Sequence, residues 1–133
     1  MPLPQRTPMM RILIADDSSV VRKRLNNLLT DVRGIEVVGQ AQDALEARNL
    51  VVKLRPDVAI LDLRMPDGSG ADVLLDIKKL NPTPTVIMLT NYAHPENRKK
   101  CMERGADYFF DKSTEFQKVL SVLRVMLHGS AKH

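Results

Sequence analysis

Two apolar runs, Val58-Ala59-Ile60-Leu61 and Val86-Ile87-Met88-Leu89, carry no polar residue on either of their alternating faces. A strand this short with both faces apolar has to lie inside a parallel sheet covered by helices above and below, because neither face tolerates water. Similar β-rich runs occur at residues 11–15, 35–41 and 108–110, which makes five strands at 11–15, 35–41, 58–61, 85–89 and 108–110. Longer amphipathic segments separate them. Val20, Val21, Leu25, Leu28 and Leu29 follow a helical face, as do Val73, Leu74, Ile77 and Leu80, and further helices are predicted over 44–54, 96–104 and 115–127. Asp43 with Glu46 three places on reads as a capping box, and Pro95 suits a first helical turn. Alternating strand and helix with a doubly apolar sheet predicts an α/β, doubly wound, five-stranded parallel sheet in three layers.

A chain of 133 residues holds one such domain, which buries about two thirds of its unfolded surface without disulfides or metal staples. The domain is expected over 9–128, with a disordered leader at 1–8, where Pro2, Pro4 and Pro8 fall, and a flexible tail at 129–133. The formal charge is +4, but the basic residues are spread through helical segments as Arg22-Lys23-Arg24, Lys78-Lys79 and Arg98-Lys99-Lys100. With no Trp for stacking bases, these read as solvated faces and predict no nucleic-acid binding by this domain. Cys101 is the single cysteine, so no internal disulfide can form, in keeping with a reducing compartment. No secretory signal is visible, nor any apolar stretch near the roughly 18 residues that span a bilayer. The chain is expected to be cytoplasmic, without membrane contact.

Polar groups leave the apolar runs at their carboxyl ends: Asp16 and Asp17, Asp62, Thr90, and Lys112. The 46 residues from Asp16 to Asp62 fit two βα units, and the 28 to Thr90 and 22 to Lys112 fit one each. Right-handed crossovers put the carboxyl ends of parallel strands on one sheet edge, so these five groups meet in one crevice. Three neighbouring carboxylates repel one another unless a cation is present. Their all-oxygen donor set suits Mg2+ rather than Zn2+. A hydroxyl from Thr90 and an ammonium from Lys112 supply what the oxygens of a phosphoryl group need.

The Asp16-Asp17 pair, the Asp62-x-x-Met65-Pro66-x-x-x-Gly70 loop, Thr90 and Lys112, in this order and spacing, resemble the response regulator receiver domain of two-component systems, over about residues 11–127. The resemblance implies a flavodoxin-like, CheY-like fold of strand order 2-1-3-4-5. It implies that Asp62 is the phosphoacceptor, receiving a phosphoryl group from a histidine kinase to form an acyl phosphate. Asp17 would bind Mg2+ directly and Asp16 through water or a hydrogen bond, and Asp62 and the backbone carbonyl of Arg64 would complete the metal shell. Lys112 would pair with Asp62 and then with a phosphoryl oxygen, and Thr90 would bind another. Thr90 and Phe109 occupy the switch positions, and the fourth and fifth helices would bind a downstream protein target. A homodimer through the same helices could use Arg98, Lys99, Lys100 and Arg104.

The sequence departs from this pattern in two places. Ser113 stands where the family usually has proline, and is expected to loosen the loop or cap the fifth helix. Asn91 stands where a very small residue is usual, which predicts slow gain or loss of phosphate. Arg64 and Tyr92, two past Asp62 and Thr90, flank the path of an attacking water. Two rival readings share the fold. In one the chain is a phosphorylation-independent interaction module, against which the intact set of five groups argues. In the other it is a phosphohydrolase with an aspartyl intermediate, which needs a general acid where Arg64 stands. The lead reading makes the chain a phosphoacceptor with only its own phosphorylation and dephosphorylation chemistry, not a turnover enzyme.

Overall fold

The computed structural model describes residues 9–131, and the expected leader at 1–8 lies outside them. The elements run β1 (Met10–Ala15), α1 (Ser19–Thr30), β2 (Ile35–Ala41), α2 (Ala44–Leu54), β3 (Val58–Leu61), β4 (Arg64–Met65), β5 (Gly68–Ser69), α3 (Gly70–Ile77), β6 (Thr85–Thr90), α4 (Pro95–Glu103), β7 (Tyr108–Asp111) and α5 (Phe116–Ala131). Five strands form one parallel sheet in the order β2-β1-β3-β6-β7, and β4 and β5 pair as a separate antiparallel hairpin. Counting only the strands of the large sheet, this is the expected order 2-1-3-4-5. The chain reverses its direction of travel across the sheet between β1 and β3, which opens a crevice at their carboxyl ends.

Side chains alternate across the sheet with period two and build a core on each face. Leu13, Ala59, Leu61, Val86 and Met88 point to one side, where α2, α3 and α4 cover them. Ile12, Ile14, Ile60, Ile87 and Leu89 point to the other, under α1 and α5. Full burial of aliphatic side chains such as Ile60 and Leu61 contributes about 1.5–3 kcal/mol each, which is why the doubly apolar runs sit in the middle of the sheet.

Several local expectations shift. Val20 is 75% exposed while Leu25 and Leu29 are buried, so α1 turns its core stripe away from Val20. The helix is capped by Ser18, whose Oγ accepts from Val21 N at 3.2 Å. The Asp43 cap forms, with Glu46 N donating to Asp43 Oδ1 at 2.7 Å, but Glu46 reaches back to Gln42 N rather than to Asp43 N. Thr90 and Asp111 belong to their strands as a terminal pair in register, not to the loops that follow. Helix α5 starts at Phe116 and continues to Ala131, past the expected end at 127 and into the expected tail. Ser113 therefore lies before α5 and does not cap it.

Candidate functional site

Strand register brings the predicted groups together. Ala15 pairs with Leu61, and Leu61 with Met88, so β1, β3 and β6 reach the same edge. Asp16 and Asp62 follow directly, and Asp62 N donates to Ala15 O at 2.9 Å. Carboxylate oxygens of Asp16, Asp17 and Asp62 all lie within 4.8 Å of one another, with Asp17 exposed and the other two buried. Lys112 reaches in from the end of β7 and bridges two of them, its Nζ lying 2.7 Å from Asp16 Oδ2 and 3.1 Å from Asp62 Oδ2. The shorter bond goes to Asp16, a partner the sequence reading did not assign to it. Lys112 N also donates to Thr90 O at 2.8 Å, which ties the lysine to the end of β6.

The two oxygens of Asp62 differ. Oδ2 is held by Lys112, while Oδ1 is buried and has no hydrogen-bond partner among the described residues. An orphaned buried carboxylate oxygen is costly unless a ligand completes it. Burial raises the Asp62 pKa above its ordinary value; Lys112 lowers it, Asp16 raises it further, and the nearby Thr90 hydroxyl lowers it, leaving a net rise. Burial pushes Lys112 down, but its bonds and charge interactions with Asp16 and Asp62 outweigh this and raise its pKa. The site thus holds more negative charge than one ammonium balances, and its donors are all oxygen. That set fits a hard divalent cation.

Thr90 is fully buried, and its Oγ1 accepts from Tyr92 N at 3.0 Å. Arg64 stacks its guanidinium over the Tyr92 ring, 4.1 Å from the centroid, so the residues two past Asp62 and two past Thr90 meet. Asn91 is exposed. Phe109 is 2% exposed and lies in the core beside α4, and Arg98 donates to its carbonyl at 3.1 Å. The loop after Asp62 is a tight hairpin in which Asp67 takes a left-handed φ of 63°. Gly70 then passes so close that a Cβ on it would stand 2.1 Å from Asp62 O. Its place in the motif is a steric requirement.

Three contributors lay outside the sequence reading. Arg22 on α1 donates to the Asp16 carbonyl, and Ser18 N donates to Asp16 Oδ1 at 2.9 Å. Asp111, next to Lys112, accepts from both Ser113 N and Ser113 Oγ. Only the neighbourhood of Ser18 and Arg22 to the acidic pair, in the first turn of an amphipathic helix, hinted at the first two.

Residues 12–124 match the model of the response regulator receiver domain. The chain belongs to that family. Among curated proteins, this receiver domain is 45% identical over 97 residues to a protein-glutamate methylesterase/protein-glutamine glutaminase of Xanthomonas oryzae pv. oryzae, covering 73% of this chain and 24% of that protein. It is 34% identical over 120 residues to the transcriptional regulatory protein YhcZ of Bacillus subtilis, covering 90% and 55% respectively. The chain therefore spans about a quarter of the one and about half of the other, and the likeness to the methylesterase reaches only its receiver part. Among solved structures, the response regulator domain of Thermotoga maritima CheB superposes with a TM-score of 0.79 at 30% identity, covering 91% of this chain and 95% of that one. The receiver domain of NarL from Mycobacterium tuberculosis superposes at 0.81 with 29% identity, covering 90% and 97%. No helix among the described residues is long and apolar enough to cross a membrane.

Proposed function

We propose that Asp62 accepts a phosphoryl group from the phosphohistidine of a histidine kinase, and that the acyl phosphate changes the affinity of a protein-binding face. The observation that carries this reading is the asymmetry of Asp62: Lys112 fixes Oδ2 while Oδ1 is buried with no partner among the described residues. Oδ1 attacks phosphorus, the P–N bond breaks, and the imidazole leaves with the bonding pair. Lys112 then turns its ammonium to a phosphoryl oxygen, and Thr90 donates its hydroxyl proton to another. Asp16, Asp17, Asp62 and the backbone carbonyl of Arg64 would hold Mg2+, which when bound neutralises charge on the transferred oxygens.

Thr90 and Phe109 would couple the site to α4 and α5. Helix α4 suits this role because Cys101 is its single buried residue, so little apolar packing resists its displacement. The output would be a cytoplasmic protein partner, or a second copy of the chain, at α4 and α5. The chain would perform no catalytic turnover on a separate substrate, since Arg64 stands where a phosphohydrolase of related fold needs an acid.

Intact mass after incubation with acetyl phosphate and Mg2+ tests the reading. One added phosphoryl group, absent with EDTA and absent from Asp62→Asn, is expected; an unlabelled wild-type chain would refute it.

A further inference from the structure

Lys112 has a long, flexible stem, yet its ammonium must meet two carboxylates from different strands at 2.7 and 3.1 Å. Its backbone therefore needs holding on both sides. On the strand side, Lys112 N bonds to Thr90 O. On the other side, Ser113 supplies no ring to restrict the chain. The Asp111 side chain takes that place: its Oδ1 accepts from Ser113 N at 2.9 Å and from Ser113 Oγ at 2.7 Å, closing a turn that straddles Lys112. A second ring reinforces it. Asp111 N donates to Glu115 Oε1 at 3.0 Å, and Glu115 N donates to Asp111 O at 2.7 Å. Lys118 fixes the far oxygen of Glu115 at 2.7 Å.

We infer that Asp111 is a positioning residue for Lys112, acting through its paired hydrogen bonds to Ser113. The inference rests on the phosphoacceptor reading of Asp62. Bonds from the Ser113 hydroxyl and amide hold the Asp111 carboxyl below its ordinary pKa, so it is an anion at neutral pH. Such a charge offers the phosphoryl transfer nothing by itself. Its use lies in geometry, and loss of that geometry by about 1 Å costs on the order of 100-fold in favourable cases.

The test compares Asp111→Ala, which removes both bonds, with Asp111→Asn, which keeps an acceptor oxygen at Oδ1 and removes the charge. Labelling by acetyl phosphate at saturating Mg2+ is expected to slow by about tenfold or more in the alanine variant, and the asparagine variant is expected to recover to within about threefold of wild type. A second readout is independent of turnover: the Lys112 ammonium signal in a 1H–15N spectrum should be present in wild type and Asp111→Asn and lost or broadened in Asp111→Ala, in folded protein. Unchanged labelling and an intact signal in Asp111→Ala would overturn the inference. So would an asparagine variant as impaired as the alanine one, which would assign the effect to charge. If Asp111→Ala does not fold, the ammonium signal and labelling of Ser113→Ala, which loses only the hydroxyl bond, decide between the same outcomes at smaller amplitude. An unlabelled wild-type chain would overturn the phosphoacceptor reading and this inference with it, whereas labelled wild type with unaffected Asp111→Ala would overturn this inference alone.

Discussion

Lys112→Met removes the one cation from between two carboxylates while keeping most of the side-chain bulk. Side-chain exposure is 9% for Lys112, 4% for Asp16 and 7% for Asp62, so the variant leaves two buried anions facing each other. Breaking a buried pair by deleting one partner costs about 3–5 kcal/mol. Protonation sets a ceiling on that cost. A carboxyl with the ordinary value of 3.8 takes a proton at pH 7 for about 4 kcal/mol, and one shared proton removes the repulsion. At pH 5 the ceiling drops to about 1.6 kcal/mol. Without Lys112 to lower it, the raised Asp62 pKa rises further, so the variant's stability increases as pH falls from neutral through that value. We expect a loss of about 3–4 kcal/mol at pH 7, on the order of 10–15 °C in melting temperature, and less than half of that at pH 5. Urea and thermal denaturation without Mg2+ at both pH values measure it, and Asp16→Asn in the same background should recover most of the loss. An equal loss at pH 5 and pH 7, or no recovery with Asp16→Asn, would show that facing carboxylates are not the source of the loss.

Burial holds the Asp62 carboxyl above its ordinary range, so the wild-type chain gains stability as pH falls from neutral through that raised value. Asp62→Asn removes the buried charge and should melt higher than wild type at pH 7 with a flatter pH profile, while losing all labelling; a lower melting temperature contradicts this. Gly70→Ala places a Cβ 2.1 Å from Asp62 O and should cost about 2–3 kcal/mol in denaturant titration and slow labelling, because the Asp62 backbone must move. Arg64→Ala and Tyr92→Ala each break the stack between them, and dephosphorylation followed after donor removal should change in both, whereas unchanged rates would exclude that stack from control of water access.

The fold was legible because it rests on features that a sequence displays directly. Doubly apolar runs such as Val86-Ile87-Met88-Leu89 have one stable environment, and the handedness of crossovers then fixes which strand ends meet. The same topology assembled Asp16, Asp62, Thr90 and Lys112 from positions far apart in the chain. What stayed hidden depends on side-chain paths. That Lys112 bonds more closely to Asp16 than to Asp62, that Arg22 braces the Asp16 carbonyl, and that Asp111 clamps Ser113 are contacts with no periodicity behind them. Val20 was misplaced because the apolar pattern of α1 allows two faces, and only packing against α5 and the sheet chooses between them.

Phosphorylation by this route converts the Asp62 carboxylate to an acyl phosphate. Borohydride reduces an acyl phosphate to an alcohol and leaves free carboxylates intact, so treatment of the phosphodonor-incubated chain, followed by peptide mapping, reads the site directly. Reduction is expected at Asp62 alone, dependent on Mg2+. Reduction at Asp16, Asp17 or another carboxylate, with Asp62 unmodified, would contradict it.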